Sequence, residues 1–504
     1  MTHPQAPQAP RALTVLAAAA ALMLTGCAMQ LRPIETGERR AAIATERTAI
    51  TANQEALSGP VTLDEAMARA LKYNLDYRLK RMEEVLAQRQ LDLSQNDLLP
   101  QLTVAAGYAG RNNENGSSSR SLSTGAQSLV PSTSTDRDRR TGDLGLTWNV
   151  LDFGVSYFQS QQQADRVLVA QERRRKTVHQ VMQQVRQAYW QAAGAEKLGS
   201  KIDSVVADAR RALDDSRKIE QEKLMAPLEV LNYQRQLLDV IRQLEAINDE
   251  LSQAKPQLAS LMNLEPGTQF SIALPTALAA PTFKMPVGKM EETALMLRPE
   301  LMEARYNERI SVLETKKAIT RLLPGLEFGI GQHYDSNSFL VNSNWRDAGL
   351  RVSFNLFNLI NAQSIRANAQ AQEELAKQQH LAVSMAVLTQ THVALRDYTG
   401  RLRQYELSKD MDDVDQKFLG HVRNATRASA TGKLQEVRAA ASALTSELRL
   451  YQSYGAMQNA YGQMLSTLGL DPLPASIDSH DLSALRNAVG TMEARWADEV
   501  SKTQ

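Results

Sequence analysis

The segment "LLPQLTVAAGY", starting at Leu98, returns 224 residues later as "LLPGLEFGIGQ", starting at Leu322. In both copies a polar, helix-like stretch runs into Leu-Leu-Pro and then alternates between apolar and small or polar residues. Proline is disfavoured in helix interiors and drives the residue before it towards extended geometry. Each copy therefore predicts a helix that stops and a strand that starts. At the same shift "NLDY" (74–77) lies over "RPEL" (298–301). Past the first strand the shift falls to 206, pairing "LTWNVLD" (146–152) with "VSFNLFN" (352–358), and later it is 207. The longer loop of the first copy, residues 111–142, is rich in Ser, Gly and Asn and is predicted as a strand-free, solvated tip. The chain reads as a tandem duplication, with repeats at 62–286 and 287–470. The flanking extensions, 27–61 and 471–504, are polar, poorly patterned and expected to wrap the outside of the helices.

Each repeat carries two strand-like pieces. Leu102, Val104, Ala106 and Tyr108 share one face opposite Thr103, Ala105 and Gly107. Leu144, Leu146, Trp148 and Val150 oppose Gly145, Thr147 and Asn149, and the second repeat sets Leu326, Phe328 and Ile330 against Glu327, Gly329 and Gly331. The last piece sets Leu350, Val352, Phe354 and Leu356 against Arg351, Ser353 and Asn355. Strands of about ten residues with one apolar face fit a transmembrane barrel; the alternative is a pair of hairpins lying on a soluble core.

The helices bear on that choice. Residues 155–220 and 361–426 are two breaker-poor stretches, each ~100 Å long at ~1.5 Å per residue. Shorter helical stretches at 65–98, 228–263, 290–322 and 433–468 pair off so that two stacked end to end match one long helix. The stretch from 228 has a heptad seam of Val230, Leu237, Leu244, Leu251 and Leu258, accompanied by Tyr233, Val240, Ile247, Ala254 and Leu261. Pro256 should kink this helix or mark its last turns. The copy at 433–468 places Glu447 and Gln458 where apolar residues belong. The expected fold class is mainly α with a membrane β-barrel. Four strands cannot close a barrel, and open edges are not tolerated in lipid, so the reading requires an oligomer. Three protomers give twelve strands.

Composition narrows the function. With a net charge of +1, nothing points to nucleic acid. The apolar run at 12–24 after Arg11 has the length of a signal peptide, and Leu24-Thr25-Gly26-Cys27 follows it. That stretch reads either as a lipobox, with residues 1–26 removed and Cys27 lipidated, or as an ordinary signal peptide with an incidental cysteine. Ala28 after the cysteine fits an outer-membrane destination. The single cysteine leaves no disulfide, zinc-cluster or thiol chemistry. No metal-ligand spacing, phosphate loop or nucleophile motif is present, so the chain is not expected to be an enzyme or to use a cofactor.

The LLP junctions, the strand-to-helix turns "NVLDFG" (149–154) and "NLFNL" (355–359), "RPEL" and the lipobox, in this order and duplicated, resemble the TolC-type outer-membrane factor family, close to its lipoprotein branch. The resemblance covers roughly residues 62–470. It implies a homotrimer with a twelve-stranded β-barrel above a periplasmic α-barrel, anchored in outer-membrane lipid. It also implies docking to a periplasmic adaptor (membrane fusion) protein and an inner-membrane pump. Small-molecule efflux is favoured; the channel of a type I protein secretion system and a structural membrane-anchored coiled coil are the alternatives.

The family's periplasmic tip corresponds here to "APLEVLN" (226–232) and "GKLQEVRA" (432–439). Glu229 and Glu436 fall on its acidic positions, while Asn232 and Ala439 stand where further acids are common and Arg438 adds a positive charge. The two acids read either as a cation-favouring gate ring or as helix N-terminal residues that suit the macrodipole. Arg351, on a polar strand face, reads as a lumen charge with or without a selectivity role. His380 and His392 do not share a helix face and read as surface residues. The run Asp410, Asp412, Asp413 and Asp415 reads as a solvated face or an adaptor contact.

Overall fold

The computed structural model describes residues 32–428, 432–474 and 479–502. The described residues up to Glu55 belong to a separate unit. Its described part holds helix α1 (Thr36–Ile50), opened by a reciprocal capping box between Glu35 and Glu38.

The larger unit begins at Ala56. Helices α2 (Leu63–Tyr73) and α3 (Leu75–Asn96) occupy the stretch expected as one helix. Asn74 divides them: its backbone leaves the helical region, and its side-chain oxygen accepts from the N–H groups of Asp76 and Tyr77, capping α3. Strands β1 (Gln101–Gly110) and β2 (Asp138–Asn149) follow. The loop is thus 111–137. It is not free of pairing, because Ser117 bridges Ser132 and Arg120 bridges Gln127. Helix α4 (Val150–Gln221) starts five residues earlier than expected, so Val150 is helical rather than the end of a strand. Asn149 is the reason, since its side chain caps the N–H groups of Leu151 and Asp152.

Helices α5 (Pro227–Ser252) and α6 (Ala254–Leu261) meet at Gln253. Pro256 lacks the N–H that would bond the Ser252 carbonyl, which places the break where the sequence indicated. The second repeat holds α7 (Val287–Leu297) and α8 (Pro299–Thr320), split at Arg298 with Pro299 in the first helical position. Strands β3 (Gly325–Asp335) and β4 (Asn344–Ser353) follow, then a short α9 (Leu356–Ile360), α10 (Ala362–Arg427) and α11 (Lys433–Thr467). Helix α12 (Leu482–Ser501) gives the C-terminal extension more structure than its sequence suggested.

The four strands form one antiparallel meander, β1-β2-β3-β4, in which β2–β3 joins the two repeats. Below it α4 is the common wall, packed on α3, α5, α8 and α11, while α10 packs on α8 and α11. The heptad seam holds: Val230, Leu237, Leu244 and Leu258 are each at most 2% exposed. Glu447 breaks the second seam without leaving a bare charge, because Lys201 of α4 sits 2.6 Å from both its carboxylate oxygens. Gln458 is likewise matched, donating to the Tyr454 hydroxyl at 2.8 Å.

The main core lies where α2, α4, α11 and α12 converge. Leu482, Leu485, Val489 and Val500 bury the inner side of α12. Asp471 fastens this extension: its carboxylate meets His179 Nε2 at 2.9 Å and Arg175 Nη2 at 2.9 Å, while its carbonyl accepts from Trp496 Nε1 at 2.7 Å. Burial alone would raise the Asp471 pKa, but the His179 hydrogen bond and the Arg175 charge outweigh it and hold it below the usual value of 3.8. A depressed carboxylate stabilises the fold above its unfolded pKa and loses that contribution as pH falls through the folded value. Asp471→Asn is therefore expected to cost about 1–3 kcal/mol at neutral pH. The gap to wild type should close on acidification below pH 3.8, as followed by thermal melts across pH.

Candidate functional site: a two-faced sheet above a helical tip

Strand register puts residues opposite one another on the same face. Leu102 pairs with Leu146, which pairs with Ile330; Trp148 pairs with Phe328, which pairs with Leu350; Leu326 pairs with Val352. These side chains form one apolar face, and they are open: Leu102, Val104, Leu350 and Val352 are 67–78% exposed. An apolar band spanning four strands needs an apolar partner or solvent. Its outer end turns aromatic and polar, with Tyr108 opposite Arg140 and Gly142 opposite Tyr334.

The other face carries small and polar residues at three levels. Nearest the helices, Asn149, Glu327 and Arg351 pair in register, with the Arg351 guanidinium 3.9 Å from the Glu327 carboxylate. Farther out, Asp143, His333 and Trp345 align. His333 Nδ1 lies 2.6 Å from Asp143, Nε2 lies at an ion-pair distance of 3.2 Å from Asp347, and Trp345 stacks on the ring at 5.2 Å. A Cβ on Gly331 would fall 2.5 Å from both His333 and Asp347, so this close cluster requires glycine there. Near the loops, Arg139 is 3.6 Å from Asp335. Arg351 is thus a paired charge. The Asp143–His333–Asp347 cluster had no local signal, because its members lie on three strands whose register the sequence does not state.

The first helical tip reverses over Glu222–Ala226, with Lys223 in the left-handed region at φ 54° and Pro227 opening α5. Glu229 in the first turn and Asn232 are both exposed. Residues 429–431 of the second turn lie outside the described residues. Glu436 is half-buried and accepts from Lys433 Nζ at 3.0 Å, while Arg438 is exposed. Val437 beside it packs with Leu237, Ala209 and Leu213. The two tip helices therefore share one small cluster, and Glu436 carries a neutralising lysine within its own turn.

Other expectations are modified. Asp412 is half-buried and Asp415 bonds the Ser446 hydroxyl on α11, so only part of the acidic run is a solvated face. His380 is half-buried and His392 exposed, each on a carboxylate, Glu308 at 2.6 Å and Glu291 at 2.7 Å. Cys27 lies outside the described residues.

Both flanks of the helical unit expose apolar stripes. On α3, Leu75, Leu79, Met82, Leu86 and Leu93 recur at heptad spacing, and on α10 so do Val393, Leu407, Met411, Val414 and Phe418. All are 46–66% exposed. No helix among the described residues is long and apolar enough to cross a membrane.

This combination, a four-stranded two-faced meander continued by helices of 72 and 66 residues, is a fold also seen in solved outer-membrane channels. No protein-family model matches the chain, and no curated protein does. Solved structures match it at low identity. The chain is similar to the CmeC outer membrane channel of Campylobacter jejuni (13% identity, TM-score 0.65, covering 90% of this chain and 95% of that one). It is also similar to CusC (18%, 0.64, 83% and 95%) and to the open MtrE outer membrane channel of Neisseria gonorrhoeae (16%, 0.61, 81% and 88%). The mainly α fold expected from the sequence is thus found, with four strands and long helices per protomer.

The two sheet faces differ in a way that mutation reads directly. Leu350→Lys, on the apolar face, should cost roughly 2–4 kcal/mol in a bilayer, whereas its neighbour Gly349→Lys on the opposite face should be tolerated. Equal recovery of both variants from lipid would mean that the two faces meet the same medium.

Proposed function

We propose that this chain is the protomer of a homotrimeric outer-membrane exit duct, with no catalytic activity of its own. In this reading three sheets close a twelve-stranded barrel, with the apolar faces on lipid and the polar faces on the lumen. The helices continue the wall as a periplasmic α-barrel. A lipid on Cys27 is the anchor, residues 1–26 are its signal peptide, and the repeats and extensions follow the boundaries expected from the sequence. A periplasmic adaptor and an inner-membrane pump deliver the cargo and supply the energy. Small molecules are the favoured cargo.

The observation that carries this reading is the open sheet. β1 and β4 each leave one edge of backbone N–H and C=O groups unpaired, which lipid does not permit. A head-to-tail contact of β4 with β1 of the next copy removes both edges and closes a ring. Likeness to CmeC, CusC and MtrE at the level of fold supports the same reading.

At the tip, Glu229 and Glu436 line the narrow end, with Asn232 and Arg438 beside them. Lys433 offsets Glu436, so the ring favours cations weakly. Glu436→Lys should shift the reversal potential in a salt gradient towards anions; an unchanged potential leaves the acid only its helix-end role.

The deciding measurement is single-channel conductance of the detergent-extracted oligomer in a planar bilayer. Discrete steps of one size, together with a cross-linked mass of three chains, are expected. A folded oligomer that stays silent, even after Glu229→Ala and Glu436→Ala loosen the tip, would support a structural coiled-coil protein instead.

A further inference from the structure

The segment between the repeats, residues 273–286, has no regular structure, yet it is held along its whole length. At its start Ile272 bridges Val61, with Ala273 N–H donating to the Val61 carbonyl at 2.8 Å. At its end Lys284 N–H donates to the Val500 carbonyl of α12 at 2.8 Å, and Met285 is buried. In between, tyrosines of the helical wall reach its backbone. Tyr189 of α4 donates to the Ala273 carbonyl at 2.7 Å. Tyr405 of α10 donates to Leu278 at 2.5 Å, Tyr454 of α11 to Ala279 at 3.2 Å, and Tyr398 of α10 to Pro281.

The rings fall into two aromatic groups, one around Tyr454 and one around Tyr398. Tyr405 meets Tyr454 at 5.3 Å, Tyr454 meets Trp190 at 4.7 Å, and Phe283 of the segment meets Tyr398 at 6.1 Å. A chain with 5% aromatic residues has concentrated them here. Tyr398, Tyr405 and Tyr454 are 3–4% exposed. Burial raises the pKa of all three hydroxyls, so they remain donors at any physiological pH.

We infer that the inter-repeat segment is a strap, and that Tyr398, Tyr405 and Tyr454 are positioning residues through which it fixes the angle of the α10–α11 pair and so the aperture of the tip. The inference rests on the duct reading above. Its basis is the geometry of a lever. Tyr405 lies 22 residues above the end of α10, and Tyr454 lies 21 residues above the start of α11. Both arms are therefore about 30 Å long at ~1.5 Å per residue, and a tilt of about 10° at the strap moves the tip by about 5 Å. Below Tyr405, the buried side chains of α10 are Leu419 and Val422, which pack with Ala439 and Ala443 of α11. The two helices thus pack as a pair, with α11 also meeting α4 and α5 through Val437, Leu444 and Leu448, and the tyrosine bonds add a tie to a segment that is itself held at Val61 and Val500.

The test uses the full-length oligomer in planar bilayers, with thermal melts alongside. The triple variant Tyr398→Phe, Tyr405→Phe, Tyr454→Phe keeps the rings and removes three hydroxyls. Its open probability should rise roughly fivefold or more. Tyr189→Phe removes the same kind of bond from α4, outside that pair. It should leave conductance at the wild-type level while lowering the melting temperature. The inference is overturned if the triple variant melts lower but conducts as wild type, or if Tyr189→Phe opens the channel equally. Should the triple variant fail to assemble, Tyr405→Phe alone is held to the same criterion. A silent wild type would instead overturn the duct reading, and the strap with it.

Discussion

Pairing of β2 with β3 is the interaction on which the rest of the structure depends. It runs from Thr141 opposite Asp335 to Asn149 opposite Glu327, and it converts two hairpins, each marginal alone, into a four-stranded sheet. Through it the two repeats share one face polarity: Leu146 meets Ile330 and Trp148 meets Phe328, while Thr147 meets Gly329 on the reverse. A slip of one residue would mix the faces. The sheet also fixes where α4 and α10 begin, because each long helix starts within three residues of a strand or of the short helix that follows it.

Duplication supplies most of the wall, but the two halves are not held in the same way. The first repeat relies on an apolar heptad seam; the second tolerates charge in its seam because α4 brings Lys201 to Glu447. An unpaired carboxylate in that position would be costly. The same logic recurs where α4 meets α8, with Arg309 on Asp165 and the buried Lys317 amine on Gln159 and Gln162. Helices of this length cannot bury a wide core, so most charged side chains within the wall are matched one by one, while Trp190 Nε1 and the Tyr461 hydroxyl are buried without a partner.

Around the middle of the helices, α12 and the inter-repeat segment pack on the wall. Asp471, Trp496 and Arg175 tie the C-terminal extension to α4, and the tyrosine hydroxyls tie the segment to α4, α10 and α11. In the proposed duct this ring of fastenings lies between a barrel set by sheet pairing and a tip set by small clusters such as Leu237 with Val437. Below mid-height the helices are held by smaller clusters, Leu198 with Leu244 and Leu444, then Leu213 with Leu237 and Val437.

Local rules made much of this legible from the chain alone. Proline at 100 and 324 marked the helix-to-strand junctions, alternation gave both faces of each strand, the heptad gave the α5 seam, and Pro256 gave its break, because each follows from neighbours within a few residues. Lys433 beside Glu436 is likewise a one-turn relation. The breaks at Asn74 and Arg298 are also local, since Asn74 caps its own neighbours and Pro299 opens α8, but they do not show in apolar periodicity. What else the sequence left open involved partners far apart in number. The fit of Asp143, His333 and Asp347, and the pairing of Arg351 with Glu327, exist only once register is set. The places of Asp471 and of Glu493 on α12 depend on Arg175, His179 and Arg186, some 300 residues earlier. The sequence by itself determined the duplicated elements and their faces, since these are written in short-range periodicity. Tertiary structure alone decided which charges are paired and what fastens the wall, since those depend on contacts that periodicity does not encode.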